Sequence, residues 1–409
     1  MKKTIIIPII FVSVIIFLLV GYFIFDYTVK KITEREVNRI TQKEIGRITG
    51  QETDKVTQSE IDRITDEIVQ QRTEEITRQI MGEDENSAQN EEMKCNVKPK
   101  PREFTKSPYY SGPLTDSHVH MPVSSKIVSM VAIQSGFEDM PYEGDIPIDS
   151  IICMYENEGI IKTFGFFIMP NAALSSSAGS AKNAKERHKE KIVPFFMPPP
   201  VTSLHPKISD VENIISSNKG VFKGIGELAI YHYPSQVKPN DPYFLELYRI
   251  ANEQHLIIMM HPPPNQQQVV EDIVKAYPNV TFLFHGEESM VNLIGKYPNT
   301  YFTIDASETQ IYGYDVQHIN KKPTKEEWLD HFRKNFDLNL DNSVNKWKTT
   351  IEKYPDRFLW GTDGWYGWHF DYEVGGLLEE FSRSFIGQLD PAVQEKFAYK
   401  NAERLLQGQ

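Results

Sequence analysis

An α/β fold of the (β/α)8 barrel class is predicted for roughly the last three hundred residues of this 409-residue chain. Three observations predict it. Short apolar, β-rich runs begin near Leu114, Ile161, Ile192, Phe222, Leu256, Thr281, Tyr301 and Phe358, which makes eight candidate strands. Helical patterns separate them, at Asp210 to Ser217, Pro242 to Glu253, Gln267 to Ala276, Met290 to Lys296, Lys325 to Phe336 and Val344 to Lys353, with a closing pair at Val374 to Leu389 and Pro391 to Leu406. Near-continuous apolar strands alternating with helices are what a parallel sheet covered on both faces requires. No Gly-rich phosphate loop follows the first run, as a doubly wound nucleotide-binding sheet would have, and polar residues of one chemical kind end many of the runs.

The residues before the barrel read differently. Residues Thr4 to Phe25, TIIIPIIFVSVIIFLLVGYFIF, carry no charge, and about twenty helical residues span the ~30 Å hydrocarbon core, so a single-pass membrane anchor is expected over 1–28. A cleaved signal peptide would have a shorter apolar region and a small-residue cleavage site. Lys30, Lys31, Arg35 and Arg39 outnumber Lys2 and Lys3, which by the positive-inside count would place the following domain in the cytoplasm. Long domains translocate regardless of such counts, and the Met-Lys-Lys start resembles a signal sequence, so an extracytoplasmic catalytic domain is the expectation. From Val29 the chain repeats every eight residues, as in VKKITERE, VNRITQKE and IGRITGQE. At 100° per residue such a repeat drifts by about 80° per copy, so it builds no fixed apolar stripe and supports no heptad coiled coil. A solvated stalk over 29–80 is expected, then a polar linker over 81–106 and the barrel over 107–409. The net charge of -12 and the lack of a basic patch in the barrel argue against nucleic acid as a partner. Two cysteines, Cys95 and Cys153, exclude a disulfide scaffold and a cysteine-rich zinc site; one disulfide is allowed but not implied.

In a barrel the active site lies at the C-terminal strand ends, so the residues that end each apolar run are the ones to weigh. The first run ends in TDSHVH. Residues two apart on a strand share a face, so His118 and His120 can aim their imidazoles at one point. Alone, such a pair is more often a surface or hydrogen-bonded pair than a metal site. The fourth run, GIGELAI, carries Glu227; LIIMMH ends in His261; TFLFH ends in His285, followed by Gly286; FLWGTD ends in Asp363. Each has a bland reading: a rim ion pair for Glu227, a packed core histidine for His261 or His285, a turn cap for Asp363 before Gly364. Together, four imidazoles and two carboxylates at the ends of five strands fit a divalent metal, since neutral imidazole and carboxylate oxygen suit zinc and related ions. His232, His255, His318, His331 and His369 lack this strand-end logic, although His232 and His369 stay in view as loop contacts. Tyr231, Tyr233, Trp365, Tyr366 and Trp368 follow the fourth and eighth strands, where they could form an aromatic rim or simply pack.

Taken with DSHVH, KGIGELAI, HPPP after the fifth strand, HG after the sixth, YFTIDAS, RFLWGTD and the closing NAERLL, the chain resembles the amidohydrolase superfamily over about residues 112–407. Within it, the resemblance is to the amidohydrolase-related branch that includes aminocarboxymuconate-semialdehyde decarboxylase. It implies that His118, His120 and His261 are metal ligands, that Asp363 is a ligand and proton-transfer residue, and that His285 is either a second-metal ligand or an electrophile. Glu227 stands where some members carry a metal-bridging group, which leaves one or two ions open. Trp365 and Trp368 replace a proline-containing turn common in decarboxylase-like members, so the substrate does not carry over. The expected function is a membrane-tethered, metal-dependent hydrolase, zinc being the first expectation, acting on an amide, ester or lactone of a small molecule. A metal-dependent decarboxylase or other lyase is the alternative, and a catalytically silent binding or scaffold module is a second. A homo-oligomer is left open.

Overall fold

Because the predicted runs are apolar at consecutive positions, a strand built from any of them must be covered on both faces. The computed structural model describes residues 98, 100–104, 108–121, 146–233, 236–305, 324–364 and 370–408. All eight runs form strands: β1 (Leu114–His120), β2 (Ile160–Ile168), β3 (Ile192–Met197), β4 (Gly224–Ala229), β5 (Ile257–His261), β6 (Phe282–Phe284), β7 (Thr300–Asp305) and β8 (Phe358–Gly361). They pair in sequence order from β1 to β8, and every pairing is parallel. The seam between β8 and β1 closes between the last residues of β1 and the residues just past β8. Asp363 N–H donates to His118 O at 2.9 Å, His120 N–H donates to Gly364 O at 2.9 Å, and Val119 pairs with Gly364.

Asp116 clasps this seam. Its Oδ1 accepts the N–H of His118 at 3.1 Å and of Thr362 at 3.0 Å, while Oδ2 accepts the hydroxyls of Thr362 at 2.6 Å and Tyr155 at 3.2 Å. Burial pushes its pKa up to about 7 in spite of these donors. Inside the barrel, Phe164, Phe166, Phe195, Ile257, Met259, Leu283 and Leu359 form one apolar cluster, joined by Ala402 and Leu405 near the C-terminus.

The helical layer consists of α1 (Ile148–Asn157), α2 (Leu174–Arg187), α3 (Ile208–Ser217), α4 (Pro242–Gln254), α5 (Gln267–Ala276), α6 (Val291–Ile294), α7 (Lys325–Lys353) and α8 (Tyr372–Gly387). The chain ends in α9 (Pro391–Glu395), a π-type turn (Lys396–Lys400) and α10 (Asn401–Gln407). Two helices, α1 and α2, were not predicted. The first is short and leads almost directly into β2; the second buries Leu174, Ser177, Ala178, Ala181 and Ala184, a correctly spaced stripe of residues too small to stand out by hydrophobicity. The expected pair Lys325 to Phe336 and Val344 to Lys353 is instead one continuous helix. Its N-terminus has a Thr324–Glu327 capping box, and Leu340 and Ser343 carry the buried face across the polar gap.

Residues 100–104, within the stretch predicted as polar linker, dock on α7 and α8. Phe104 stacks on Phe336 with ring centroids 3.7 Å apart and an interplanar angle of 4°. The buried Glu380 carboxylate accepts the N–H of Glu103 at 2.9 Å and of Phe104 at 2.5 Å. Arg383, also buried, donates to the carbonyls of Gly112 at 2.6 Å and Glu158 at 2.7 Å and pairs with Glu379. Cys153 on α1 is in a disulfide, and the sequence holds one other cysteine, Cys95. The predicted membrane segment 4–25, the repeat 29–80, residues 81–97 of the linker, and His318, Trp365, Tyr366, Trp368 and His369 lie outside the described residues. Among the described residues no helix is long and apolar enough to cross a membrane.

Glu380 gives a direct test of this docking. Glu380→Ala leaves two main-chain N–H groups without their acceptor and removes a carboxylate 3.6 Å from Arg102, and should cost about 2–4 kcal/mol. A urea midpoint equal to that of the parent protein would mean that residues 100–104 rest on the barrel without supporting it.

Candidate metal centre

Five strand ends deliver the predicted residues to one place. The β1–β2 register slips between Asp116 and Val119, and His118 and His120 leave β1 with ring centroids 5.1 Å apart. Glu227 lies within β4, 4% exposed, with Oε2 3.8 Å from His118 Nε2 and 3.4 Å from His120 Nε2. Its other oxygen, Oε1, is 3.4 Å from His261 Nδ1 and 2.6 Å from His285 Nε2. Asp363 enters from the end of β8 on a left-handed backbone (φ 53°), and its Oδ1 sits 3.4 Å from His118 Nε2 and 3.2 Å from His120 Nε2. Glu227 thus faces two groups of nitrogens with one oxygen each. All six predicted residues are together.

A seventh residue was missed. Asp305 ends β7, is 1% exposed, and places Oδ2 3.2 Å from His118 Nδ1 and 3.0 Å from His285 Nδ1. The strand-end rule that selected Asp363 applies equally to YFTID, so the signal was present; without a histidine beside it in sequence, nothing linked it to the set.

The electrostatics follow from three carboxylates converging where water is scarce. Burial resists charge on His118, yet Asp363 and Asp305 hold its pKa well above the usual imidazole range. Burial and His118 both work against a charge on His285, but Glu227 and Asp305 outweigh them and lift its pKa to about 10. Burial favours the neutral carboxyl at Glu227 and Asp363; the neighbouring histidines reverse this and keep both well below the usual carboxylate range. With protein groups alone, imidazolium protons must balance the acids. A divalent cation would balance them better, and the donors fit one. The Nε2 of His118 and the Nδ1 of His261 and of His285 are buried with no hydrogen-bond partner. Four donors about 2.0–2.1 Å from one ion in a tetrahedron lie about 3.3–3.4 Å apart, and the contacts among His118, His120, Glu227 Oε2 and Asp363 run from 3.2 to 3.8 Å. Two overlapping sets, His118–His120–Asp363 and His118–Glu227–His285, each bring ligand-type atoms within 4.8 Å of one another.

Of the predicted aromatics, Tyr231 stacks on His261 at 3.8 Å, with His232 beside it, 3.9 Å from the Tyr231 ring. Tyr233 turns inward instead: it donates to Pro199 O at 2.7 Å, so its oxygen accepts Nε2–H of His205 at 2.6 Å. His255 is the left-handed C-cap of α4, and His331 lies on α7 beside Asn335. Gly286 has φ +72°, and a Cβ there would fall 2.1 Å from His261 Nε2, so this glycine leaves room for the imidazole.

Fold and site together define a metal-dependent enzyme built on a (β/α)8 barrel. The family model described as Amidohydrolase matches residues 219–408, the part of the barrel from just before β4 onward. No curated protein matches the sequence. Solved structures to which the chain is similar include an amidohydrolase from Burkholderia multivorans with bound zinc, 12% identical over 72% of this chain and 99% of that one, with a TM-score of 0.46. Another is 5-carboxyvanillate decarboxylase from Novosphingobium aromaticivorans complexed with manganese, 11% identical over 77% and 99%, with a TM-score of 0.44. A third is a probable 2-pyrone-4,6-dicarboxylic acid hydrolase from Acinetobacter baumannii, 13% identical over 72% and 99%, with a TM-score of 0.42.

Gly286→Ala should displace the His261 ring and cost about 1–2 kcal/mol from the left-handed backbone alone. Unchanged stability with unchanged metal content would show that the ring has other room. His205 gives a pH test away from the acids. Burial lowers its pKa to about 4 from 6.5, so as pH falls the unfolded chain takes up the proton first. Its contribution is complete above about pH 6.5 and is lost as pH falls towards 4. Urea midpoints measured from pH 7 to 4.5 should therefore fall more steeply for the parent protein than for His205→Gln.

Proposed function

We propose that this protein is a metal-dependent hydrolase that cleaves an amide, ester or lactone in a small substrate. The observation that carries the reading is the placement of Glu227, one oxygen towards His118 and His120 and the other towards His261 and His285. In this reading His118, His120 and Asp363 would hold a divalent ion, zinc being the first candidate. His261, His285 and Glu227 would complete its site or hold a second ion. Such an ion supplies Lewis acidity and lowers the pKa of water from 15.7 towards 7.

The chain's own residues do the rest. Asp363 stays ionised beside the histidines, so its carboxylate can accept the proton of the attacking water and return it to the leaving group. If a single ion binds, His285 is free to donate Nε2–H to the developing oxyanion, an interaction whose loss costs about 3–4 kcal/mol in other hydrolases. Tyr231 supports the His261 ring by stacking on it. The anchor over residues 4–25 would tether the enzyme to a membrane, and the disulfide at Cys153 supports an extracytoplasmic, oxidising compartment for the barrel.

Metal analysis of the full-length protein is the first test, with one or two ions per chain expected and His118→Ala reducing occupancy. Full occupancy in that variant would remove the reading. A panel of amides, esters and lactones then tests the chemistry: turnover lost by at least about a hundredfold in Asp363→Asn is expected. Carbon dioxide release from carboxylated substrates without any hydrolysis would select a lyase instead.

A further inference from the structure

We propose that Asp305 is the positioning residue of this centre: one of its oxygens holds both His118 and His285 with Nδ1 protonated, so that both turn Nε2 towards Glu227. The proposal rests on the metal-dependent reading above and names the residue that prepares its histidines.

The argument begins with the cost of a carboxylate in that place. Asp305 is the last residue of β7, and its side chain is fully buried. A buried ionised carboxylate without partners is disfavoured by several kcal/mol. The described contacts of Asp305 include no lysine or arginine; they are His118 Nδ1 at 3.2 Å and His285 Nδ1 at 3.0 Å from Oδ2, and the Thr303 hydroxyl at 3.4 Å from Oδ1. Its placement is therefore satisfied by the two histidines.

These histidines come from strands on different sides of the barrel, β1 and β6, yet their rings meet at 4.3 Å with an interplanar angle of 76°. Both bring Nδ1 to the same oxygen, His118 through a hydrogen bond of 3.2 Å and His285 through an ion-pair contact of 3.0 Å whose Nδ1 makes no other hydrogen bond, and both point Nε2 at Glu227, at 3.8 Å from Oε2 for His118 and 2.6 Å from Oε1 for His285. A carboxylate can only accept, so the nitrogen facing it is the one that keeps a proton. The other nitrogen of each ring is then the one available as a ligand. Asp305 sets this choice for one histidine of each group.

The fold leaves room for the arrangement on β8. Gly361 lies opposite Asp305 in the β7–β8 register, and a Cβ on it would fall 2.4 Å from Asp305 Oδ1 and 3.2 Å from His118 Cβ. Any side chain there would push the carboxylate off the two histidines. Asp305 is also distinct from Asp363 in what it touches: it contacts the Nδ1 side of the rings, away from the oxygens that face the Nε2 atoms.

Asp305→Asn tests this, because an amide keeps the size but loses the negative charge that holds both Nδ1 protons, leaving a weaker, neutral acceptor. Titration of the full-length protein with zinc against a chromophoric chelator should show affinity lowered by roughly 10–100-fold. The urea midpoint of the metal-free variant should be no lower than the parent's, which a merely structural role for Asp305 would not allow. Zinc affinity within twofold of the parent would overturn the proposal while leaving the metal-dependent reading intact. A parent protein that binds no zinc would remove that reading, and the proposal with it. Should the variant fail to fold, histidine-labelled, zinc-loaded parent protein decides by two-bond 1H–15N correlation. Protonated Nδ1 on both His118 and His285 supports the proposal, and a bare or zinc-bound Nδ1 on either overturns it.

Discussion

The site depends on the closure of the sheet between β8 and β1. The pairing there is short, and backbone hydrogen bonds at residues 118, 120, 363 and 364 make it. Those are also the positions of two histidines and an aspartate of the candidate centre. Asp116 holds the seam from within the DSHVH stretch, tying His118 and Thr362 through one carboxylate. A barrel whose edges did not meet would leave His118 and Asp363 on opposite rims of an open sheet. Closure brings the first and last strands together, and with them the two ends of the ligand set.

Charge balance is the second constraint, and it follows from the first. Glu227, Asp305 and Asp363 all project into the same buried volume, and burial opposes the ionised form of each. The surrounding histidines offset this in the protein alone. A centre of this composition is built for a cation, since replacing imidazolium protons with a divalent ion frees the nitrogens to act as ligands and leaves the carboxylates ionised. Aromatic packing then serves geometry: Phe166 borders His118 at 5.1 Å, and Tyr231 covers His261.

The barrel is also supported from outside. Glu380 and Arg383 on α8 bind main-chain groups of Glu103, Phe104 and Gly112 and of Glu158 in the turn before β2. These contacts fix the chain as it enters β1, the strand that carries His118 and His120. The segment ahead of the barrel thus helps to hold the first strand, even though its polar, proline-rich sequence has the texture of a linker.

By itself the sequence determined the strand count and order, because eight doubly covered strands need eight apolar runs, and it determined the six candidate site residues, because a barrel's site lies where those runs end. Helix α2 and the continuity of α7 were not legible: small residues leave a faint periodicity, and a polar stretch such as DLNLDNS hides the two buried positions that link its neighbours. Nor was the role of Asp305. In the sequence it stands 187 residues from His118 and is one acid among 56 acidic residues. Only the closed barrel decides that His118 near the end of β1, His285 just after β6 and Asp305 at the end of β7 point at each other, and that one carboxylate oxygen meets two imidazoles. Distances of that kind arise from strand tilt and register around the whole circuit, which no local pattern of residues contains.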